Sequence, residues 1–261
     1  MSALTLMSAA AVRVSPAPDR VDALAASAPA STLKVGGITP FSATDYPGKL
    51  AAVVFVQGCP WRCGYCHNPH LQQRTGSSPV PWSTVLALLK RRVGLVDAVV
   101  FSGGEPTIDP GLADAMRSVR ALGFRVGLHS AGMYPRRLAE VLPLVDWVGL
   151  DVKSSWQGYD AITGIFDSAR QARVSAQLVL ASGIAHEFRT TVHPALHTEA
   201  DILLLAQALQ AMGVRHYVLQ VFRAIGCGDV RLDAVSTLGY PGAELLAQVA
   251  ALFDSFSLRQ A

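Results

Sequence analysis

Charged residues are scarce in this chain of 261 residues. They make up 16% of the sequence, against roughly 25% in an average soluble protein. The 22 Lys and Arg residues nearly balance the 19 Asp and Glu residues, and hydrophobic residues make up 51%. This composition excludes an intrinsically disordered chain, which requires low hydrophobicity and a high net charge. The basic residues are spread along the chain rather than clustered, so we expect no nucleic-acid partner.

Long apolar runs and cysteines are scarce as well. No uncharged stretch reaches the roughly 18 apolar residues of a membrane-spanning helix, so the sequence predicts no membrane partner. Four cysteines are too few for the disulfide framework of a small secreted protein. The sequence has no obvious export signal, so we predict a cytoplasmic protein whose cysteines stay reduced.

The sequence divides into two regions of different composition. Residues 1–33 are rich in Ala and Ser and contain no aromatic residue, which is typical of a flexible tail. A targeting peptide is the alternative, but two Asp residues argue against an organelle transit peptide. We predict that residues 34–261 form one folded domain.

Short apolar runs alternate with helical patterns from residue 51 onward. The predicted strands are Ala51–Gln57, Ala98–Phe101, Arg125–His129, Trp147–Val152, Glu187–Val192 and His216–Phe222. The predicted helices are Pro81–Arg92, Gly111–Leu122, Pro135–Val141, Ala169–Ala181, Ala200–Met212 and Gly242–Phe253. This alternation indicates an α/β fold with a parallel sheet and right-handed crossovers. We predict a partial (β/α)6 barrel, because a closed eight-unit barrel typically needs roughly 250 residues.

Three of the four cysteines lie within eight positions. Cys59, Cys63 and Cys66 form a C-x3-C-x2-C pattern directly after the first predicted strand. Parallel α/β folds place their active sites at the carboxyl ends of strands, which is where this pattern lies. Three neighbouring thiolates without an obvious fourth indicate an iron–sulfur cluster with one iron open to a substrate or cofactor.

Two other metal sites are compatible with the same cysteines. His67 or His70 could complete a zinc site, and Cys227 could complete an electron-transfer cluster. The spacing of the three thiols favours iron–sulfur over zinc.

With an aromatic residue before its last cysteine, the pattern resembles the signature of the radical S-adenosylmethionine (SAM) superfamily. The resemblance implies that Cys59, Cys63 and Cys66 hold one [4Fe–4S] cluster per chain. It also implies that the amino and carboxylate groups of SAM chelate the fourth iron, and that Tyr65 lies against the adenine. A thiolate from Cys227 would block that site, so Cys227, in a flexible Gly-Cys-Gly turn, is not expected to be a ligand.

A second motif of the same superfamily follows the second predicted strand. The segment Ser102–Pro106 resembles its Gly-Gly-Glu-Pro motif. Gly103 and Gly104 let backbone carbonyls approach a ligand closely. Glu105 and those carbonyls are expected to accept hydrogen bonds from the SAM ammonium. A plain strand-to-helix turn is the alternative for this segment taken alone.

Three further segments resemble the glycyl-radical-enzyme activases, most closely the activating protein of anaerobic ribonucleoside-triphosphate reductase. These segments are Thr44–Leu50, Phe55–Cys59 and Cys66–Pro69. The resemblance implies reductive cleavage of SAM to methionine and a 5′-deoxyadenosyl radical, which takes a hydrogen from a glycine Cα of the partner reductase. It also implies an electron donor such as flavodoxin or ferredoxin. This chemistry requires no acid–base residue, and we nominate no catalytic side chain.

Weaker signals surround these motifs. Asp151 and Lys153 resemble a family segment near the SAM carboxylate, with a solvated strand end as the alternative. Asn68 adjoins the last cysteine and is assigned to the cofactor site. Arg189 could reach the cofactor or form a surface ion pair. The segment His129–Gly132 departs from the Asp-Thr-Asn-Gly-like segment of sister activases, so their contacts are not carried over.

Several other functions share part of this pattern. The nearest are an activase of the pyruvate formate-lyase type and a radical SAM enzyme that acts on a small molecule. A non-enzymatic iron–sulfur or zinc protein is a third possibility, but the Gly-Gly-Glu-Pro segment has no role in it. We expect His193, His197 and His216 to be ordinary structural residues.

Overall fold

A computed structural model describes residues 29–260 and shows one eight-stranded sheet. The strands are β1 (Val35–Ser42), β2 (Ala51–Val56), β3 (Ala98–Gly103), β4 (Arg125–Ser130), β5 (Trp147–Asp151), β6 (Ala185–Val192), β7 (His216–Val221) and β8 (Ser255–Arg259). Most of the tail predicted over residues 1–33 lies outside the described residues. Of its last five residues, Ala30–Thr32 form a 3-10 turn and Leu33 is fully buried in the core.

The order of the strands in the sheet is their order in the chain. β1 pairs antiparallel with β2, and every later pair from β2 to β8 is parallel. Within the described residues β1 and β8 do not pair with each other, so the barrel is open along one side. The predicted α/β class and partial barrel are therefore confirmed.

The six predicted strands correspond to β2 through β7, and the structure adds one strand at each edge. β1 contains two glycines and a proline, which weaken the strand signal in its sequence. β8 is only five residues long and largely half-exposed, and it follows the segment Gly242–Phe253 that we predict as the last helix. All six predicted strands are therefore present, and the two additional strands were not predicted because the signals of edge strands are weak.

Within residues 29–260, eight α-helices connect and cover the strands. They are α1 (Trp82–Lys90), α2 (Leu112–Ala121), α3 (Pro135–Val141), α4 (Tyr159–Thr163), α5 (Ser168–Ser182), α6 (Glu199–Ala211), α7 (Val230–Asp233) and α8 (Ala243–Ala250). The short helices α4 and α7 have no counterpart among the predicted helices. No helix within residues 29–260 is long and apolar enough to span a lipid bilayer.

Two hydrophobic cores lie on the two faces of the sheet, because successive strand residues point to opposite sides. Ala52 and Val54 of β2 pack in the larger core with the helices. Ala51 and Val53 belong to a smaller core inside the barrel, which includes Tyr46 from the loop after β1 and Trp147. The Tyr46 and Trp147 rings lie 5.1 Å apart and fill the amino-terminal end of the barrel. The carboxyl ends of the strands are left to form a cavity.

Candidate active site

A cavity of about 530 Å³ lies at the carboxyl ends of the strands. It collects nine of the ten residues that the sequence nominates as cofactor or metal ligands. These are Cys59, Cys63, Tyr65, Cys66, Asn68, Gly103, Gly104, Asp151 and Lys153. Residues separated by almost a hundred positions thus share one site, because parallel strands end at one edge of the sheet.

The cysteine loop, residues 57–68, leaves β2 through a glycine in the left-handed region (Gly58, φ +103°). The Cys59 N–H donates to the Gln72 carbonyl at 3.0 Å, and the Cys66 N–H donates to the Cys63 carbonyl at 3.1 Å. All three cysteines are half-buried. The loop therefore holds its three thiols at the wall of the cavity by its own backbone bonds.

Burial keeps the Cys59 and Cys63 thiols protonated in the absence of a metal. Burial and the nearby Glu105 carboxylate raise the pKa of Cys59 to about 12. Burial also raises the pKa of Cys63. Because thiolates are the metal-binding form, loading this site must release protons.

The three thiols do not converge on a single point. Among the residues that the structure describes, no group of three His, Cys, Asp or Glu side chains is arranged to hold one metal ion. In a cubane cluster each thiolate binds a different iron, so a cluster does not require the three thiols to meet at one atom.

The two glycines of the Gly-Gly-Glu-Pro segment lie against the backbone that leads into the cysteine loop. A Cβ on Gly103 would lie 2.6 Å from the Val56 backbone, and one on Gly104 would lie 2.4 Å from the Gly58 carbonyl oxygen. The Glu105 N–H donates to that same carbonyl at 2.8 Å. Glycine is thus required here for packing, besides any approach to a ligand.

Glu105 is the nominated residue that does not line the cavity. Its side chain is fully buried and accepts hydrogen bonds from Thr107, from the Ser130 hydroxyl at 2.8 Å and from the Ala131 N–H at 2.8 Å. The carboxylate joins the segment after β3 to the end of β4. Its contact with a SAM ammonium stays a prediction from the resemblance.

A largely buried ion-pair network lines the same cavity as the cysteines. Asp151 accepts from the Arg189 Nε at 2.8 Å and from the Lys153 ammonium at 3.2 Å. Burial alone would raise the pKa of Asp151, but these two cations lower that pKa below its usual value. Burial alone would lower the pKa of Lys153, but the Asp151 charge raises that pKa above its usual value. Both groups are charged, and Arg189 is buried rather than on the surface.

His129 also lines the cavity, and its neighbours define its tautomer. Its Nε2 lies 2.8 Å from the Asp45 carbonyl oxygen, which can only accept, so Nε2 carries the proton. Its Nδ1 lies 3.2 Å from the Ser102 hydroxyl. Burial and the Arg189 charge lower the pKa of His129 to about 3. The ring is therefore neutral at physiological pH, and Nδ1 accepts from Ser102.

A second cavity of about 400 Å³ includes residues that the sequence analysis missed, among them Thr191 and Gln220. It adjoins the first, and Arg189, Thr191 and Gln220 line both. It also reaches Thr44, which follows β1, and Arg259 of β8, so it lies on the open side of the barrel. Thr191 and Gln220 are polar residues near the carboxyl ends of β6 and β7, and that position alone could have identified them.

The remaining cysteine and two of the histidines lie beside the site. The Cys227 Sγ is 3.4 Å from the Gly64 carbonyl oxygen and is not among the residues that line the main cavity. His193 and His197 are buried and bond the carbonyls of Leu232 and Lys153. They support the segments around the cavity rather than facing it.

The donor set of the cavity fits a cluster and a SAM molecule. Three thiols are available for iron, and the Lys153 ammonium is available for a carboxylate. The Tyr65 hydroxyl is buried and has no hydrogen-bond partner within the described part of the chain, and its residue lines the cavity. Such an unpaired buried group is unusual in a folded protein and indicates that a ligand or water completes it.

Comparison with known proteins defines the class of this site. The model of the radical SAM superfamily matches residues 53–209, which is more than half of the chain. The chain therefore belongs to the radical SAM superfamily. This confirms the resemblance carried by the cysteine and glycine motifs.

Relatives within the superfamily are more specific. A Methanocaldococcus jannaschii protein assigned by name as a glycyl-radical enzyme activating enzyme is 28% identical over 197 residues, which cover 72% of this chain and 79% of that protein. The pyruvate formate-lyase-activating enzyme of Clostridium pasteurianum is 34% identical over 137 residues, or 50% of this chain and 57% of that enzyme. These names agree with the activase resemblance.

The fold is shared with a protein of known structure. Streptococcus suis SuiB, in its structure bound to S-adenosylmethionine, has a TM-score of 0.60 at 13% sequence identity. The match covers 78% of this chain and 47% of SuiB. At this identity the likeness establishes the fold alone.

Proposed function

We propose that this chain is an activase that cleaves SAM reductively and installs a glycyl radical on a partner enzyme. The observation that carries the proposal is one cavity that joins the three cysteines, the two motif glycines and the Asp151–Lys153 pair. That cavity continues into a second, polar cavity on the open side of the barrel. The first provides a cofactor site, and the second provides a route for a polypeptide.

In this proposal Cys59, Cys63 and Cys66 hold one [4Fe–4S] cluster. When bound and reduced, the cluster supplies one electron to the sulfonium of SAM, giving methionine and a 5′-deoxyadenosyl radical that takes a hydrogen from a glycine Cα. The protein binds and orients SAM and the substrate, and it excludes water and oxygen. We assign no acid or base catalyst.

The remaining cavity residues are proposed to orient SAM. Backbone carbonyls at Gly103 and Gly104 accept from its ammonium, with Glu105 holding that segment in place. The Lys153 ammonium faces its carboxylate as a charge-assisted partner. Tyr65 and Asn68 line the part of the cavity next to the cysteine loop, where the nucleoside is expected.

The substrate is proposed to be a glycine loop of a second protein. The barrel is open between β1 and β8, and the second cavity on that side has polar walls at Thr191, Gln220 and Arg223. Polar walls suit a peptide backbone, because every backbone N–H and C=O that leaves water needs a hydrogen-bond partner.

We propose anaerobic ribonucleoside-triphosphate reductase as the partner, with flavodoxin or ferredoxin as electron donor. The segment Thr44–Leu50 supports this assignment through its resemblance to the reductase activases. The similarity to a pyruvate formate-lyase-activating enzyme favours a second candidate, pyruvate formate-lyase.

Anaerobic reconstitution tests the proposal. The wild-type protein should bind about four irons per chain and, once reduced, release 5′-deoxyadenosine from SAM. Incubation with each of the two candidate enzymes, followed by electron paramagnetic resonance, should give a glycyl doublet on the reductase. A doublet on pyruvate formate-lyase alone would move the assignment to the second candidate. Absence of 5′-deoxyadenosine from fully loaded protein would refute the activity.

A further inference from the structure

The loop between α4 and α5 presents an aromatic side chain to solvent beside the cysteine loop. We call residues 163–167 the Phe166 loop. Phe166 is 92% exposed, and its neighbour Ile165 is also exposed. Single exposed apolar residues are common on protein surfaces. Phe166 differs from such residues in three respects, which are the rigid backbone of its loop, its position beside the cysteine loop and the charged residues around it.

The Phe166 loop is held rigidly by hydrogen bonds. The Asp160 carboxylate accepts from the Asp167 N–H at 2.8 Å, and the Thr163 hydroxyl oxygen lies 3.3 Å from the Ile165 N–H. Asp167 adopts a left-handed conformation (φ +57°), which is unfavourable for a residue with a Cβ. These hydrogen bonds therefore hold the backbone that carries Phe166 in one conformation.

The Phe166 loop is also joined to the cysteine loop. The Arg62 N–H donates to the Thr163 carbonyl at 2.7 Å. Between the two loops lies a groove of about 230 Å³, lined by Trp61, Met133 and Tyr134. Trp61 and Met133 line the active-site cavity as well. A surface that rests on Phe166 is therefore continuous with the cavity.

Positive charge surrounds the groove. Arg62 and Arg137 donate to main-chain carbonyl oxygens, and neither has an ion-pair partner among the residues that the structure describes. Arg170, which lines the groove, is paired with Asp167. An apolar side chain within a basic surround complements an acidic surface that carries an apolar pocket.

We propose that Phe166 and the adjoining groove form the docking site for the folded partner protein whose glycine loop enters the cavity. The proposal rests on the proposed function. It adds the surface to which the folded part of the substrate protein binds and the chemistry of that contact. The partner presents an acidic surface with an apolar pocket that receives the Phe166 ring. An aromatic group contributes strongly to such an interface, because burying its ring in a pocket removes a large apolar surface from water while ordering only two side-chain torsions.

The test compares a folded partner with a short peptide. Radical installation is followed by electron paramagnetic resonance, with the intact reductase or a synthetic peptide spanning its glycine loop as substrate. Phe166→Asp should raise KM for the intact reductase about tenfold or more, with little change in kcat. KM for the peptide and the release of 5′-deoxyadenosine without partner should stay at wild-type values. Leu95→Ala is the matched control, since Leu95 is exposed but lies just before β3, at the opposite end of the barrel.

Charge provides a second, independent measurement. Arg137→Glu should raise KM for the intact reductase and leave KM for the peptide unchanged. Added salt should raise the wild-type KM for the reductase more than that of the charge-reversed variant.

Several outcomes would overturn the proposal. One is an unchanged KM for the intact reductase in Phe166→Asp, and another is an equal loss with the peptide. A wild-type dimer that Phe166→Asp dissociates, without any change in partner KM, would show that a second copy covers the loop. If the wild type places no radical on either the reductase or pyruvate formate-lyase, the proposed function itself fails, and the docking site fails with it.

Discussion

At the scale of single residues, His129 makes the stability of the protein depend on pH. Its folded pKa of about 3 lies well below the roughly 6.5 of an unfolded histidine. Between these values the unfolded chain binds a proton that the folded chain does not. The stabilisation is therefore complete above pH 6.5 and is lost as the pH falls towards 3.

Urea unfolding of cluster-free protein between pH 7 and pH 4 tests this prediction. His129 should contribute up to about 1.4 kcal/mol per pH unit to the slope of the unfolding free energy against pH. In His129→Gln this slope should be smaller than in the wild type by that amount. Ring nitrogen resonances of the wild type should report a neutral ring protonated at Nε2 at pH 5. Identical slopes in the two proteins would contradict the assignment.

Gly104 and Gly37 provide a matched pair for testing close backbone approach. A Cβ on Gly104 would lie 2.4 Å from the Gly58 carbonyl oxygen, whereas one on Gly37 would meet nothing within 4 Å. Gly104→Ala should lower the free energy of unfolding by about 1–3 kcal/mol and reduce the iron bound per chain, because it displaces the start of the cysteine loop. Gly37→Ala should change neither quantity. Thermal unfolding and iron analysis distinguish the two, and a Gly104→Ala protein with normal iron content would count against this account.

The sequence alone explains only part of the reason why position 104 is occupied by glycine. The motif predicts close approach to a ligand, but the contact with Gly58 is between two segments more than forty positions apart. Glu105 illustrates the same limit. Its residue type and motif predict a cofactor contact, whereas its hydrogen bonds to Ser130 and Ala131 depend on how β3 and β4 lie side by side.

At the scale of secondary-structure elements, one ion pair fixes the last strand. Arg259 of β8 reaches across β7 to Glu187 of β6, with both guanidinium–carboxylate distances at 2.8 Å. Glu187 is buried, so removing its partner leaves a charge without compensation.

Arg259→Ala should therefore destabilise the protein by about 1–3 kcal/mol, less than for a fully buried pair because Arg259 is partly exposed. The double variant Glu187→Gln with Arg259→Gln should recover most of that loss, since it leaves no buried charge. Urea unfolding of the wild type, the single variants Glu187→Gln and Arg259→Gln and the double variant measures the coupling. If the double variant were as unstable as the sum of the two single variants, the interaction would not be electrostatic.

The elements that the sequence predicts well are those buried on both faces. β2 and β3 have nearly continuous apolar sequences because the sheet is covered by helices outside and by Tyr46 and Trp147 inside. The edge strands differ. β1 needs pairing only with β2, and β8 only with β7, so their sequences tolerate glycine, proline and polar residues.

At the scale of the whole molecule, the open side of the barrel determines which substrates can enter. Val221 lines the second cavity but not the first. Val221→Trp should fill the second cavity, abolish radical transfer to the partner and leave 5′-deoxyadenosine release at the wild-type rate. Retained release also shows that the variant is folded. Val221→Ala is the control and should support radical transfer, and a Val221→Trp variant that still activates its partner would place the entry route elsewhere.

The site as a whole was predictable where short motifs define it and not where distant segments meet. The three cysteines and two motif glycines follow from spacing within a few residues. The role of Arg189 could be assigned only from the structure, because its ion pair with Asp151 joins two neighbouring strands. That ion pair places Arg189 at the cavity rather than on the surface. The Phe166 loop carries no motif, and its interest arises only from its proximity to the cysteine loop.

The matching of strand order to chain order has a consequence for synthesis on the ribosome. Each parallel strand can dock on the one made just before it, so the sheet can assemble in the direction of translation. Glu187 is an exception, because its compensating guanidinium at Arg259 is made seventy-two residues later. Until the final strand emerges, the growing sheet carries an acidic group at the position where the finished protein buries it, and a nascent chain stalled before β8 should remain sensitive to proteases.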